Sequence, residues 1–362
     1  MKKQTTTLTT NTHPVKQTQK AKRFTQIKLG VDVHADSYRV VRQIDSATPQ
    51  PAQKMTPEKF LLFVAKQRTL AKEVHSCYEA GPFGYGLHRT LLKMGVHNVV
   101  VRPQNWDELG RGVKTDQTDA LAMVQRLDRY VQGNTKALAV ITVPTEAQEQ
   151  ERAGTRHREQ LQQDRQAHEA QGRSLLLYAG HRLVGSWWKE QTWQGLRKQL
   201  APWLTAILEN LRVLVLAADQ LLGELSLKIQ SQAQPQPKGF GQLTSEVLRR
   251  EVLDWNRFKN RRQVASLTGM CPGVFASGPK SVSGSITKHG NPRIRRALIE
   301  LAWRVVRYQP HYPPVVKWKD ALTQKQARGV RKKAVVAIGR RLAIDLWRLA
   351  TGRCTAADWK LS

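Results

Sequence analysis

The chain has 362 residues, with 59 Lys and Arg against 28 Asp and Glu, a formal net charge of +31. A surplus of that size predicts a polyanionic partner, nucleic acid first, while 40% hydrophobic content suffices for two or three domains with real cores. There is no apolar run of about 18 residues, which excludes a membrane-spanning helix, and Cys77, Cys271 and Cys354 lack metal-ligand spacing and suit a reducing, cytoplasmic setting.

Residues 1–25 are rich in Thr, Gln and Lys and predict a disordered basic tail, with no apolar stretch that would make a secretory signal. Residues 27–34 and 38–44 read as paired strands around a turn at Asp36-Ser37. Thr56-Pro57-Glu58 opens a helix, with Thr as the cap and Pro at the first helical position. Residues 74–79 form another strand, closed by Ala80-Gly81-Pro82. A helix through Leu87, Leu91 and Leu92 then leads to a strand at 99–101. Next comes Lys114-Thr115-Asp116-Gln117-Thr118-Asp119-Ala120, which opens a helix with Thr115 as its cap and Ala120, Leu121, Met123, Val124 and Leu127 as its apolar face. Two strands, then alternating helices and strands, predict an α/β domain over 26–143.

Four acids in that domain stand out. Asp32 and Glu79 sit at or near strand ends, where open α/β sheets place their sites. Asp116 and Asp119, three apart, share one face of a first helical turn. A carboxylate cluster with no Cys or His partner suits a hard cation, Mg²⁺ or Mn²⁺, and paired divalent ions are a standard device for phosphodiester displacement. The competing reading has the acids neutralising Lys28 or Lys114, with the two helical aspartates placed by the helix dipole.

Residues 144–172 are strongly polar and predict a long helix with too thin an apolar stripe for a core: a solvent-bridging spacer, a coiled-coil-like arm, or a strut along nucleic acid. The following helical stretch, to residue 230, holds Trp187, Trp188, Trp193 and Trp203, read as packing residues with base stacking as the alternative. Residues 144–230 thus form a helical arm. Gln/Pro-rich 231–238 is a linker, and 239–362 a mostly helical C-terminal domain. In that domain, Gly239-Phe240-Gly241 precedes a helical pair of the kind that can hold a phosphate backbone. The Ser/Gly/Pro-rich stretch from Gly273 reads as a basic loop, in which composition singles out no serine as a nucleophile. Asn291 caps a helix with Pro292 at its first position, and Arg293 and Arg296 share a face near that positive end, a candidate phosphate site. Lys332, Lys333, Arg340, Arg341 and Arg348 flank an apolar stripe in the last helix. The net charge favours them as a backbone-binding face.

Taken in order, these motifs resemble a known family. Gly30-Val31-Asp32-Val33-His34, Glu79-Ala80-Gly81 with Gly84, and Lys114 to Ala120 resemble the RuvC/RNase-H-like domain of DEDD transposases. Leu267-Thr268-Gly269-Met270-Cys271-Pro272-Gly273, Ser277-Gly278 and the run from Ile286 to Arg295 resemble their C-terminal transposase domain. The family is that of insertion sequences one-ten and eleven-eleven, and the match spans most of the chain from about residue 26. Gly239 to Thr244 resembles its Gly-rich helix-hairpin-helix turn, with Lys238 and Gln242 where prolines are usual.

The resemblance implies a DNA recombinase guided by a structured RNA and acting as a homo-oligomer, with the two domains meeting in a composite site. Asp32, Glu79, Asp116 and Asp119 match the metal-binding tetrad, and Ser277 matches the serine that forms a phosphoserine link to DNA. Lys288, Arg293, Arg296, Lys332 and Lys333 are the expected nucleic-acid-binding residues. The alternatives are a RuvC-like junction nuclease that uses water, and a non-catalytic nucleic-acid-binding protein.

Overall fold

The computed structural model describes residues 23–104, 106, 116–183, 185–277, 280–323 and 329–360, without the side chains of residues 116, 117, 275–277, 280 and 281. Most of the expected tail, together with Lys114 and the proposed cap Thr115, therefore lies outside the described residues. The chain divides into two compact units, Met1–Val143 and Pro144–Ser362.

The first unit is built on a five-stranded mixed sheet. Its elements are β1 (Phe24–Val33), β2 (Tyr38–Ile44), β3 (Gln53–Met55), α1 (Pro57–Leu70), β4 (Ala71–Glu79), α2 (Gly86–Lys93), β5 (His97–Val101) and α3 (Asp116–Val131). The strand order is β3-β2-β1-β4-β5, with β1 antiparallel to β2, β2 antiparallel to β3, and β1, β4 and β5 parallel. Phe24 and Thr25, assigned to the tail by composition, open β1. The three-residue strand β3 is too short to show apolar alternation, and its place comes from backbone pairing with β2, such as Met55 with Tyr38. Helix α1 starts as its sequence dictates: Thr56 accepts from the Lys59 amide and Pro57 takes the first position.

Side chains alternate across β1, so its two faces have different partners. Ile27, Leu29 and Val31, all fully buried, pack with Phe60, Val64 and Leu91 of α1 and α2. The opposite face belongs to α3. There Cys77 of β4 packs with Met123 and Leu127, and Val41 of β2 with Ala120 and Val124.

The second unit begins with α4 (Glu146–Tyr178), α5 (Glu190–Arg197) and α6 (Pro202–Ser231). A reciprocal capping box between Thr145 and Gln148 starts α4. Helix α4 is no free spacer, because α6 runs back along it. Arg158 donates to Ser226 at 2.7 Å and Arg165 to Asp219 at 3.0 Å, a seven-residue step on each helix in opposite directions. Apolar packing concentrates at one end, where Trp187, Trp188 and Trp193 are buried with Leu176, Leu204 and Leu208. Trp203 alone of the four tryptophans is exposed, at 52%. A β-carbon on Gly172 would lie 2.1 Å from the Trp187 ring, so glycine there makes room for the indole.

The remainder comprises α7 (Gln242–Val252), α8 (Arg261–Thr268), β6 (Pro272–Ser277), β7 (Lys280–Ile286), α9 (Pro292–Tyr308), α10 (Pro313–Lys317), α11 (Lys319–Thr323) and α12 (Val330–Ala350). Its core lies between α7, α8, α9 and α12, with Leu298, Leu301, Val305, Ile338 and Leu342 fully buried. The stretch read as a loop from Gly273 is instead a β-hairpin, β6 against β7. Its serines and glycines hide the strand signal, yet Val274, Val282 and Ile286 are strand formers.

Candidate active site and nucleic-acid interface

The placement of the acids follows from residue parity and one glycine. Lys28, Gly30 and Asp32 share the α3 face of β1, and Cys77 and Glu79 share that face of β4. Val31 pairs with Tyr78 in the parallel register, so Asp32 and Glu79 close neighbouring strands at the same end of the sheet. Helix α3 can approach because Gly30 has no side chain: a β-carbon there would lie 2.3 Å from the Ala120 carbonyl oxygen and 2.6 Å from the Val124 nitrogen. Farther back, Lys28 Nζ reaches Asp128 Oδ1 at 2.6 Å. Helix α3 therefore runs antiparallel to β1. Four helical residues advance about 6 Å and two strand residues about 6.6 Å, which brings the Asp116–Asp119 turn level with Asp32.

The surroundings of each acid differ. Asp32 Oδ2 lies 3.1 Å from His34 Nε2. Glu79 Oε2 accepts from Trp106 Nε1 at 2.7 Å, and Arg126 stacks over that indole at 5.0 Å. Asp119 is half-buried in the first turn of α3. The side chain of Asp116 lies outside the described residues. Among those described, no three Asp, Glu, His or Cys side chains are grouped as a metal site. The donor set of Asp32, Glu79 and Asp119 is nonetheless all carboxylate oxygen, the chemistry a hard divalent cation takes.

Lys28 is taken up elsewhere. It is 2% exposed, pairs with Asp128 and donates to the Asp45 carbonyl at 2.9 Å. Neutralisation of Asp32 by Lys28 is therefore not what the fold provides. Sequence reasoning passed over Trp106 and Asp128, and named Gly30 only within a motif, without its packing role. Of these only Gly30 left a signal, as a glycine inside an apolar strand.

In the second unit, Ser277 ends β6 and pairs with Lys280 across the hairpin turn, while its side chain and Gly278-Pro279 lie outside the described residues. The base of the hairpin is tied to α8. Thr287 donates to the Cys271 carbonyl at 2.9 Å, Lys288 to Gly269 at 3.0 Å, and Asn291 to Leu267 at 2.7 Å. A β-carbon on Gly290 would sit 2.1 Å from the Leu267 oxygen. The two C-terminal motifs are thus one backbone knot. Lys288 is exposed, at φ 58°.

Asn291 caps α9 by accepting from the Arg293 and Ile294 amides, and Pro292 follows. Arg293 and Arg296 share a face, and both donate to one carboxylate of α4: Arg293 Nε to Glu159 Oε2 at 2.6 Å, and Arg296 Nη1 to Glu159 Oε1. A second acid joins the same elements. Glu251, its side chain fully buried, accepts from Arg156 at 2.8 and 3.0 Å and from Asn291 Nδ2 at 2.9 Å, with Arg152 at 3.6 Å. Burial pushes the Glu251 carboxyl up, but hydrogen bonds from Arg156 and Asn291 and the charges of Arg156 and Arg152 outweigh it. The net result lies below the usual glutamate value. Glu159 and Glu251 carried no local sequence signal, because their partners are remote in the chain. Lys332 and Lys333 are exposed near the start of α12.

Comparison with known proteins adds an independent finding. Residues 236–316 match the model of the transposase IS116/IS110/IS902 family. The chain is 30% identical over 303 residues to a candidate transposase, y4rJ, of Sinorhizobium fredii, covering 75% of each chain. It is 28% identical over 310 residues to y4qE of the same organism, covering 77% of this chain and 76% of that one. Against the transposase for insertion sequence element IS1111A of Coxiella burnetii, identity is 24% over 343 residues, 89% of each.

Proposed function

Because the chain belongs to the IS116/IS110/IS902 family of insertion-sequence transposases, we propose that it cuts and rejoins DNA through a metal-assisted phosphoserine intermediate, with a structured RNA choosing the sites. The observation that supports this reading is the register of the first unit: Asp32 and Glu79 close neighbouring strands at one end of the sheet, on the face that α3 covers. That arrangement supports a RuvC/RNase-H-like reading of 26–143, with 144–230 as the arm and 239–362 as the transposase domain.

Asp32, Glu79, Asp116 and Asp119 would hold Mg²⁺ or Mn²⁺, which when bound stabilises charge on the reacting phosphate and on the leaving oxygen. Trp106 keeps Glu79 in one orientation through its indole N–H. Ser277 is the nucleophile. Its Oγ forms a bond to phosphorus, one DNA ester oxygen departs with its electron pair, and the serine proton ends on that oxygen. One phosphate ester is exchanged for another, so reversal onto a new strand needs no outside energy source, which hydrolysis would not permit. Arg293 and Arg296 hold non-bridging oxygens once Glu159 yields them. A guide RNA and further copies of the chain are the proposed partners.

The test is a trapped intermediate. With Mg²⁺ and substrate DNA, the protein should form a DNA adduct that survives denaturation and maps to Ser277. Ser277→Ala should remove both adduct and recombination, while Ser281→Ala, Ser283→Ala and Ser285→Ala keep them. Cleavage without any adduct would make water the nucleophile and the protein a junction nuclease. Absence of metal-dependent cleavage altogether would leave a nucleic-acid-binding protein.

A further inference from the structure

The second unit contains a cleft of about 840 Å³ that the acids and Ser277 do not use. It is lined by the start of α8, by α10 and by one side of α12. Six cations line it, Arg261, Arg262, Lys317, Arg340, Arg341 and Arg348, against two carboxylates, Asp345 and Asp358. Both carboxylates are engaged already. Asp345, 5% exposed, accepts from the Tyr312 hydroxyl at 2.8 Å and from Arg341 Nε at 2.9 Å. Asp358 accepts from the backbone N–H and the hydroxyl of Thr355, at 2.8 and 3.1 Å. Among the described residues, Arg261, Arg262, Lys317 and Arg340 have no carboxylate within 4.0 Å.

Six cations against two carboxylates leave the cleft a net positive charge, which focuses a positive potential there. The cleft also carries an aromatic surface, since Trp318, beside Lys317, is 38% exposed. Guanidinium groups along a groove with an open indole are the pairing that single strands use: phosphates on the cations, a base on the ring. A duplex would offer the phosphates but keep its base faces stacked inside.

We propose that this cleft binds an unpaired strand of nucleic acid, with phosphates on Arg261, Arg262 and Arg340 and one base on Trp318. An unpaired phosphodiester strand comes from two sources here, RNA or opened DNA. The inference does not depend on the acid cluster or on Ser277, because it concerns binding rather than cleavage.

The experiment uses full-length protein freed of nucleic acid and measures anisotropy of labelled oligouridylate, oligothymidylate and a duplex of equal length over a range of salt. Trp318→Ala should weaken single-strand binding roughly tenfold with the salt slope unchanged, and Trp318→Phe should restore most of it. Arg262→Gln with Arg340→Gln should flatten the slope by about 1.4, two phosphates at about 0.7 each. Arg182→Gln with Arg197→Gln removes the same charge outside the cleft and should flatten it less. Loss with oligouridylate alone assigns the cleft to RNA, loss with oligothymidylate alone to DNA, and equal loss to a strand of either kind. The inference is overturned if the cleft variants behave as the control pair does, or if duplex binding falls as far as single-strand binding.

Discussion

The Ala120 carbonyl oxygen lies 2.3 Å from where a β-carbon on Gly30 would stand, which makes a missing side chain the condition for α3 to rest on β1. The obstruction is backbone, so a bulkier residue can be accommodated only by moving the helix. Gly30→Ala should destabilise the first unit by about 1–3 kcal/mol through overpacking. It should also lower cleavage more than it lowers DNA binding, because Asp116 and Asp119 ride on the displaced helix. Thermal unfolding and cleavage assays on the same preparation check both effects. Unchanged stability would mean that α3 does not pack where the glycine allows.

Amide substitutions test the acids. Asp32→Asn, Glu79→Gln, Asp116→Asn and Asp119→Asn keep the shape of each side chain but remove the charge that would hold a cation. Each should lower strand cleavage at least a hundredfold and leave the unfolding midpoint and bulk DNA affinity nearly unchanged. Wild-type activity in excess chelator would sink the metal assignment.

Glu159 occupies both arginines that are candidates for phosphate. Any phosphate binding there must displace that carboxylate. Glu159→Gln should therefore raise nucleic-acid affinity about fivefold at low salt. The gain should vanish when Arg293→Gln and Arg296→Gln are added. Affinity that stays level or falls in Glu159→Gln would show that the arginines serve only to fasten α4.

Glu251 supplies a pH dependence with a definite sign. Its folded-state value is depressed, so its stabilising contribution is full above the ordinary glutamate value of about 4.3 and is lost as pH falls through the lower, folded-state value. Glu251→Gln should cost about 2–3 kcal/mol at neutral pH. That is the low side for a broken buried pair, because Arg156 can turn to water. The difference between variant and wild type should shrink in acid. Denaturant unfolding at neutral and acidic pH measures it, and a constant difference would place the effect in packing rather than charge.

What the chain reveals before folding depends on the range of the interaction. Strand β2 is legible at both ends because the Asp36-Ser37 turn precedes it and Tyr38, Val40, Val41 and Ile44 are strand formers. The starts of α1 and α9 are legible because Thr56-Pro57 and Asn291-Pro292 are local cap signals. Strand β3 is not legible, since Gln53, Lys54 and Met55 become a strand only through backbone pairing with β2. The hairpin carrying Ser277 hides behind serine and glycine. Asp32 and Glu79 stand out as acids in apolar strands, whereas their common face needs the β1–β4 register. Glu159 and Arg293, 134 residues apart, are paired only by the fold.

The seven-residue step shared by the Arg158–Ser226 and Arg165–Asp219 contacts makes the arm a ruler with one setting. Sliding α6 by one heptad in the direction that brings Asp219 to Arg158 would set Arg212 against Arg165, like charge against like. Sliding either way would pull Leu204 and Leu208 of α6 out of the cluster around Trp187. A substitution that loosens that cluster would thus free the register of α6 on α4 before it changed an affinity, and would show first as faster hydrogen exchange along the arm.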